Sequence, residues 1–220
     1  FLSYMPLAYK IKMIGMSDHP VSLMYQREVL PSWKKFGHKV YPFEAVTPKD
    51  LVYKNKLDFK LKTSGKKREF TSTEIAVWYS HFELWCECVR TGPMVIIEHD
   101  SKLVKQLPDM SKEGYKLLSF IDRDFGDKGV TLAPGSGYYI TPAVAERLVA
   151  GAVSNPVVRN SDGHLALTMN YKRQTTMNDY HYIEQINFDG LNTIDHKNPN
   201  RKFVGPDYEN FDLSSIHGEA

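Results

Sequence analysis

The stretch from Thr71 to Asp100, TSTEIAVWYSHFELWCECVRTGPMVIIEHD, constrains the fold more than any other part of the chain. Thr71-x-x-Glu74 is a capping box, and Ile75, Trp78, Phe82, Trp85 and Val89 follow at three- and four-residue steps, so a helix starts here. Thr91-Gly92-Pro93 stops it. Met94-Val95-Ile96-Ile97 is then wholly apolar, the pattern of a strand buried on both faces. Trp78, Phe82 and Trp85 are expected as core. A helix feeding a doubly buried strand implies an α/β layer.

The residues before this stretch fit the same architecture. Tyr9 to Met16 reads as a strand, and Ser17 or Asp18 is expected to cap a helix that has Pro20 in its first turn and Leu23, Arg27, Leu30 and Lys34 at helical spacing. Pro31 is expected to kink or divide that helix. HKVYPFEAV, residues 38–46, reads as a second strand. Residues 47 to 70 carry eight basic side chains against three acidic ones and read as a long basic loop, either solvated or closing over an anionic ligand. Further on, Tyr115 to Phe120 and Tyr138 to Ile140 read as strands, with a turn over Pro134 to Gly137 between them. Thr141-Pro142 opens a helix, residues 162 to 170 suit another, and Tyr180 to Ile186 suits a late strand. A folded domain is expected over 1–189, with an extended tail over 190–220.

Composition narrows the function classes. With 220 residues, 42% of them hydrophobic, and a formal net charge of +2, the chain has a core to bury and no strong global field to draw nucleic acid or an anionic membrane. Partners have to be argued from sites. Cys86 and Cys88 lie two apart in the expected helix, where they face different ways and cannot bridge. No run approaches the roughly 20 apolar residues of a membrane span. The first residues lack the order of a secretory signal, so a reducing, cytoplasmic setting is expected.

The chemistry-bearing residues sit at the strand end. Open α/β sheets bind ligands outside the carboxyl ends of their strands, and Glu98-His99-Asp100 stands directly there. Two carboxylates and an imidazole suit Mn²⁺ or Mg²⁺, and such an ion neutralises a diphosphate.

The order Glu74, Ser80, His81, Trp85 and then Ile96-Ile97-Glu98-His99-Asp100 resembles the core signature of glycosyltransferase family 25, which includes lipooligosaccharide and collagen galactosyltransferases. Phe43-Glu44-Ala45-Val46 and Gly135 to Ile140 resemble two further blocks of that family. The resemblance spans about 9 to 170. It departs at Thr73 and Ala76-Val77, where the family has small residues, and at His99, where the family has an acid.

That resemblance implies a single-domain GT-A type fold, a nucleotide-binding α/β sandwich with a mixed central sheet. It implies transfer of a hexose from a UDP-sugar to a glycan acceptor with Mn²⁺ or Mg²⁺, by inversion as in the lipooligosaccharide members, and a place in lipopolysaccharide biosynthesis. Glu98, His99 and Asp100 are the expected metal ligands, while Met16, Ser17, Arg27, Ser80, His81 and Glu98 are expected around the donor. Asp162, in Asn160-Ser161-Asp162-Gly163-His164, occupies the region of a later family acid and is expected as the base, with Glu74 as a second catalytic carboxylate. From spacing alone, Asp162 is equally a helix cap, Glu74 a capping-box residue and His81 an interior histidine. A catalytically impaired nucleotide-sugar binding module and a metal-dependent phosphoester hydrolase are the rival readings, and a DNA or other polymer acceptor stays open.

Overall fold

The computed structural model describes residues 9–51, 70–124, 130–134, 136–154, 161–169, 181–188, 191–193 and 202–203. Most of the basic stretch, Gly135 and most of residues 190–220 lie outside them.

The chain opens with β1 (Lys10–Gly15), α1 (Pro20–Lys35), β2 (Val40–Glu44), α2 (Ser72–Thr91) and β3 (Met94–Glu98). β2 and β3 both pair in parallel with β1, one on each side of it. The chain therefore steps off β1 in one direction through α1 and returns across it through α2. Right-handed crossovers taken in opposite directions place the two helices on opposite faces of the sheet. β4 (Ser101–Leu103), β5 (Tyr115–Leu117), an antiparallel pair of β6 (Phe120–Asp124) and β7 (Val130–Pro134), and β8 (Gly137–Ile140) follow. β8 runs antiparallel to β3 and carries β5 on its far side, which completes a mixed five-stranded sheet in the order β2-β1-β3-β8-β5. α3 (Pro142–Ser154), α4 (Ser161–Thr168), β9 (Ile183–Gln185), β10 (Leu191–Asn192) and β11 (Lys202–Phe203) come last. β9 pairs with β4, and β10 with β11, so the described part of the expected tail forms a short ladder.

Side-chain alternation along the strands divides the core in two. Ile14, Met94, Ile96, Tyr138 and Ile140 pack with Trp78, Leu84 and Trp85 of α2 and Ala145 and Leu148 of α3. Ile11, Met13, Val95, Ile97 and Tyr139 pack instead with Val29 and Trp33 of α1 and with Leu103 and Ile183. Every strand position thus has an assigned face, which is what a period of two requires. Lys12 shares a face with Ile14, and its ammonium meets Glu87 of α2 at 2.8 Å.

Local signals account for the element ends. Thr71 Oγ1 accepts the Glu74 amide at 3.2 Å, and Glu74 Oε2 accepts the Thr71 amide at 3.0 Å, so the expected capping box is formed in both directions. Gly92 closes α2 at φ 111°, a conformation that costs other residues a Cβ clash. Pro42 is accommodated because β2 is an edge strand.

Two expectations for α1, its cap and a division at Pro31, need correction. The N-cap is His19, whose Nδ1 accepts the Ser22 amide at 3.4 Å, and neither Ser17 nor Asp18 fills that role. The buried stripe is Val21, Ser22, Tyr25, Val29 and Trp33, whereas Arg27, Leu30 and Lys34 face solvent. Pro31 lies inside one continuous helix. It sits on the exposed face, where the carbonyl left without a donor can turn to water.

Trp33 ties α1 to the site end of the sheet. It is fully buried, and its indole N–H donates to the Ser101 carbonyl at 2.8 Å. Trp33→Ala leaves a cavity and an unpaired carbonyl, an expected cost of about 3–5 kcal/mol. A thermal melt checks this, and a Tm within a degree or so of wild type would contradict it.

Acid should weaken the fold through two buried imidazoles. Burial holds His38 and His164 below the ordinary histidine value, the latter despite its contact with the Leu148 carbonyl. Both stay neutral in the fold, while the unfolded chain takes up protons near pH ~6.5. Their contribution is complete above that pH and is lost as pH falls below it. Melts between about pH 5 and 8 should show a flatter acid limb in His164→Gln than in wild type.

Candidate active site

The reversal of direction at β1 leaves a crevice at the carboxyl ends of β1, β2 and β3, the position where open α/β sheets bind ligands. Ile14, Met16, Ala45, Val46, Pro48 and Val77 supply an apolar wall there. His19, Thr73, His81, Glu98, His99 and Thr193 supply the polar groups. An apolar slot edged by a few polar side chains suits a planar base attached to a charged tail.

Glu98, His99 and Asp100 are consecutive, and that adjacency separates them. Glu98 continues the face of Met94 and Ile96, toward α2, where its Oε1 lies 3.5 Å from His81 Nε2. His99 points the other way, toward α1, and its ring rests on Tyr25 with centroids 5.4 Å apart. Burial, with His19 adding to it and the Glu98 charge opposing it, pushes the His99 imidazole down to about 4. Asp100 accepts from the Gln185 side-chain amide at 2.8 Å through Oδ2, while Oδ1 is buried without a hydrogen-bond partner among the described residues. Burial and then the charge on Glu98 push the Asp100 carboxyl up to about 7.

These placements bear on the expected metal. Among the described residues no three His, Cys, Asp or Glu side chains converge on one point, so the triplet does not form a three-ligand set. Its two carboxylates do sense one another, and one oxygen is orphaned. A cation relieves that repulsion, and Mg²⁺-like ions commonly take one or two carboxylates and complete their shell with phosphate oxygens and water. Glu98 and Asp100 fit such an ion as a pair.

The other expected site residues separate into groups. Met16 lines the crevice, with its amide donating to Ser22 Oγ at 2.9 Å. Ser17 is exposed, and its amide is held by the Glu44 carboxylate at 3.0 Å. Arg27 lies on the solvent face of α1, outside the crevice lining. Ser80 is fully buried at the crevice wall; its hydroxyl accepts the Val46 amide at 2.9 Å and donates to the Ala76 carbonyl at 3.1 Å, so it fastens β2 to α2. Glu74 is engaged in its cap. Asp162 stands in the first turn of α4, and its charge acts on Tyr138 alongside that of Glu98.

Sequence reasoning missed His19, Thr47 and Thr193, which all line the crevice. The helix-start signal around Pro20 points to His19 once histidine is admitted as a cap. Nothing local marks Thr193. Tyr25 brings its segment in, because its hydroxyl donates to the Leu191 carbonyl at 3.0 Å and accepts the Phe188 amide at 3.0 Å, while its ring stacks on Phe188.

A crevice of this kind, at the switch point of a mixed α/β sheet and edged by Glu98, has the place of a ligand-binding site. Comparison makes it specific: residues 27–126 match the model of glycosyltransferase family 25, described as an LPS biosynthesis protein. The match covers α1 to β6 and bears out the family resemblance read from Glu74, Ser80, His81 and Trp85, over a shorter span than 9 to 170. Over those residues the chain is similar to glycosyltransferases, transferase enzymes that use a sugar donor and an acceptor.

No curated protein matches the chain. Among solved structures, a CTP:phosphocholine cytidylyltransferase from Streptococcus pneumoniae (LicC) is similar at 12% identity and TM-score 0.39, over 76% of this chain and 88% of that one. A glycosyltransferase involved in glycosylating the major capsid of PBCV-1 is similar at 10% identity and TM-score 0.33, over 65% of this chain and 66% of that one. Likenesses of that size leave this chain's substrates open. Among the described residues no helix is long and apolar enough to cross a membrane.

Proposed function

We propose that the protein moves a hexose from a UDP-sugar to a hydroxyl of a glycan, with inversion and with a divalent cation, Mn²⁺ or Mg²⁺, at a GT-A type site. The observation that carries this reading is the crevice itself, in which an apolar slot at the ends of β1 and β2 leads to Glu98 at the end of β3, two residues before Asp100. The slot takes the base and ribose, and the diphosphate extends toward Glu98 and Asp100.

When bound, the cation supplies positive charge against the diphosphate as it leaves. Everything else falls to the chain. Met16, Ala45 and Val77 exclude water from one side of the base, and Thr73 brings the first turn of α2, fixed by Glu74 through the cap, to the same crevice. In the transfer step the acceptor oxygen bonds to the anomeric carbon as the bond from that carbon to the diphosphate oxygen breaks. The acceptor proton passes to a carboxylate, which we assign to Asp162, and UDP carries away the bonding electron pair. That assignment comes from the family resemblance, and Asp162 itself stands outside the crevice lining.

Calorimetric titration of UDP with and without Mn²⁺ is the direct test, followed by release of UDP from UDP-galactose and UDP-glucose. Metal-dependent binding with turnover is the expected result. Binding without turnover would favour a nucleotide-sugar binding module, and no binding under either condition would remove the donor assignment. The anomeric proton of the product, read by NMR, decides inversion.

A further inference from the structure

We infer that His81 is a positioning residue for Glu98, held in a single tautomer by a buried relay from Trp85 through Tyr138. The assignment of Glu98 to the donor site rests on the proposed function, whereas the relay rests on hydrogen-bond bookkeeping alone.

The relay begins at a group with no choice. An indole N–H only donates, and that of Trp85, fully buried, meets Tyr138 Oη at 2.9 Å. The phenol oxygen is therefore an acceptor on that side. Its one proton has to go to its other partner, His81 Nδ1 at 2.8 Å. Tyr138 is 1% exposed, and among the described residues it has no third hydrogen-bond partner. With Nδ1 accepting, the imidazole proton sits on Nε2. That nitrogen is the one facing Glu98 Oε1 at 3.5 Å.

The alternative arrangements fail on the same bookkeeping. A proton on His81 Nδ1 would set two N–H donors on one phenol oxygen and strand the phenol proton in the core. A buried donor left without an acceptor there is costly. Ring rotation is closed as well. The imidazole stacks on Tyr138 at 5.8 Å and 23°, and lies tilted against Trp85 at 6.4 Å.

Strand alternation explains why the three meet. Glu98 and Tyr138 project to the face covered by α2, and β3 and β8 pair so that Ile96 stands opposite Tyr138. His81 and Trp85, four residues apart, sit one above the other on that helix. The carboxylate at the strand end is thus presented with an N–H group. A released imidazole would present it with a lone pair for part of the time. Partners that orient a metal-binding or ligand-binding group typically matter by about 10–100-fold in affinity or activity.

Long-range proton–nitrogen correlation spectroscopy on the ¹⁵N-labelled full chain tests this without any ligand. The His81 signals, one set among eight histidines, are assigned by their loss in His81→Gln. At mildly alkaline pH the wild type should show neutral His81 with the proton on Nε2. Tyr138→Phe removes one hydroxyl and should release a mixture containing the Nδ1–H form. Trp85→Phe removes the donor that fixes the phenol as an acceptor and should release part of the Nδ1–H form, less than Tyr138→Phe does. UDP affinity in the presence of Mn²⁺ should fall about 10–100-fold in Tyr138→Phe and less in Trp85→Phe.

A charged or Nδ1–H His81 in the wild type overturns the inference, as does an unchanged tautomer in Tyr138→Phe. A released tautomer with unchanged UDP affinity overturns the positioning role. Should Tyr138→Phe fail to fold, the wild-type spectrum and that of Trp85→Phe decide by the same criteria. If the tautomers behave as stated and the wild type binds no UDP, the relay stands and the donor assignment falls.

Discussion

Asp100→Asn is expected to make the metal-free protein more stable while abolishing its response to Mn²⁺. Burial and the neighbouring Glu98 push the Asp100 carboxyl from the ordinary 3.8 up to about 7. The folded state therefore keeps this proton up to about pH 7, while the unfolded chain releases it near the ordinary carboxylate value. Stability from this group falls as pH rises across that window, and its cost is complete above it. This is the opposite direction to His38 and His164. Asparagine keeps an oxygen for the Gln185 amide and removes the charge. A gain of only 1 kcal/mol would raise Tm by roughly 2–4 °C in chelator at about pH 8. Mn²⁺ at about 100 times its dissociation constant stabilises a binding protein by about 2.7 kcal/mol, or roughly 5–10 °C here. Wild type should show that rise and Asp100→Asn should not. A variant that loses stability in chelator, or still responds to the ion, would sink this account of the strand end.

Asp162→Asn is expected to lower the rate of transfer by about 10²–10⁴-fold while leaving the affinity for UDP in place. The stability cost should be small. A first-turn carboxylate on α4 contributes about 0.3–1 kcal/mol through the helix dipole, and asparagine retains part of any capping role. The two roles open to Asp162 thus separate: a cap loses Tm and keeps rate, whereas a base loses rate and keeps Tm. Steady-state kinetics beside a melt reads both, and full activity would withdraw the assignment.

The first half of the fold was legible because its signals are local. Thr71 and Glu74 fix a helix start within four residues, and Met94 to Ile97 admit nothing polar, so α2 and β3 lie where their spacing puts them. The errors arose where a choice among similar residues is made by tertiary contacts. Leu23, Arg27, Leu30 and Lys34 have helical spacing, yet the buried stripe is one step round, because Tyr25 and Trp33 reach Leu191 and Ser101 in distant segments. The triplet divides for a related reason. Its composition suggested three ligands, but successive side chains at a strand end point to opposite faces, which sends Glu98 to His81 and His99 to Tyr25. Ser80, His81 and Trp85 were found as a group, although their division into a fastener and a relay needed Val46 and Tyr138.

The pairing of β9 with β4 also sets an order in time. Nearly the whole crevice wall is made by residues that precede Asp100, and on a ribosome these emerge and can pack first. Gln185, Tyr182 to Ile186 and Thr193 arrive more than eighty residues later, and only then is the Gln185 amide there to donate to the Asp100 carboxylate. The nascent protein therefore has most of its crevice wall before it has the partner of Asp100. The charge at the strand end is present from the start, and it becomes costly only in the buried setting of the finished fold.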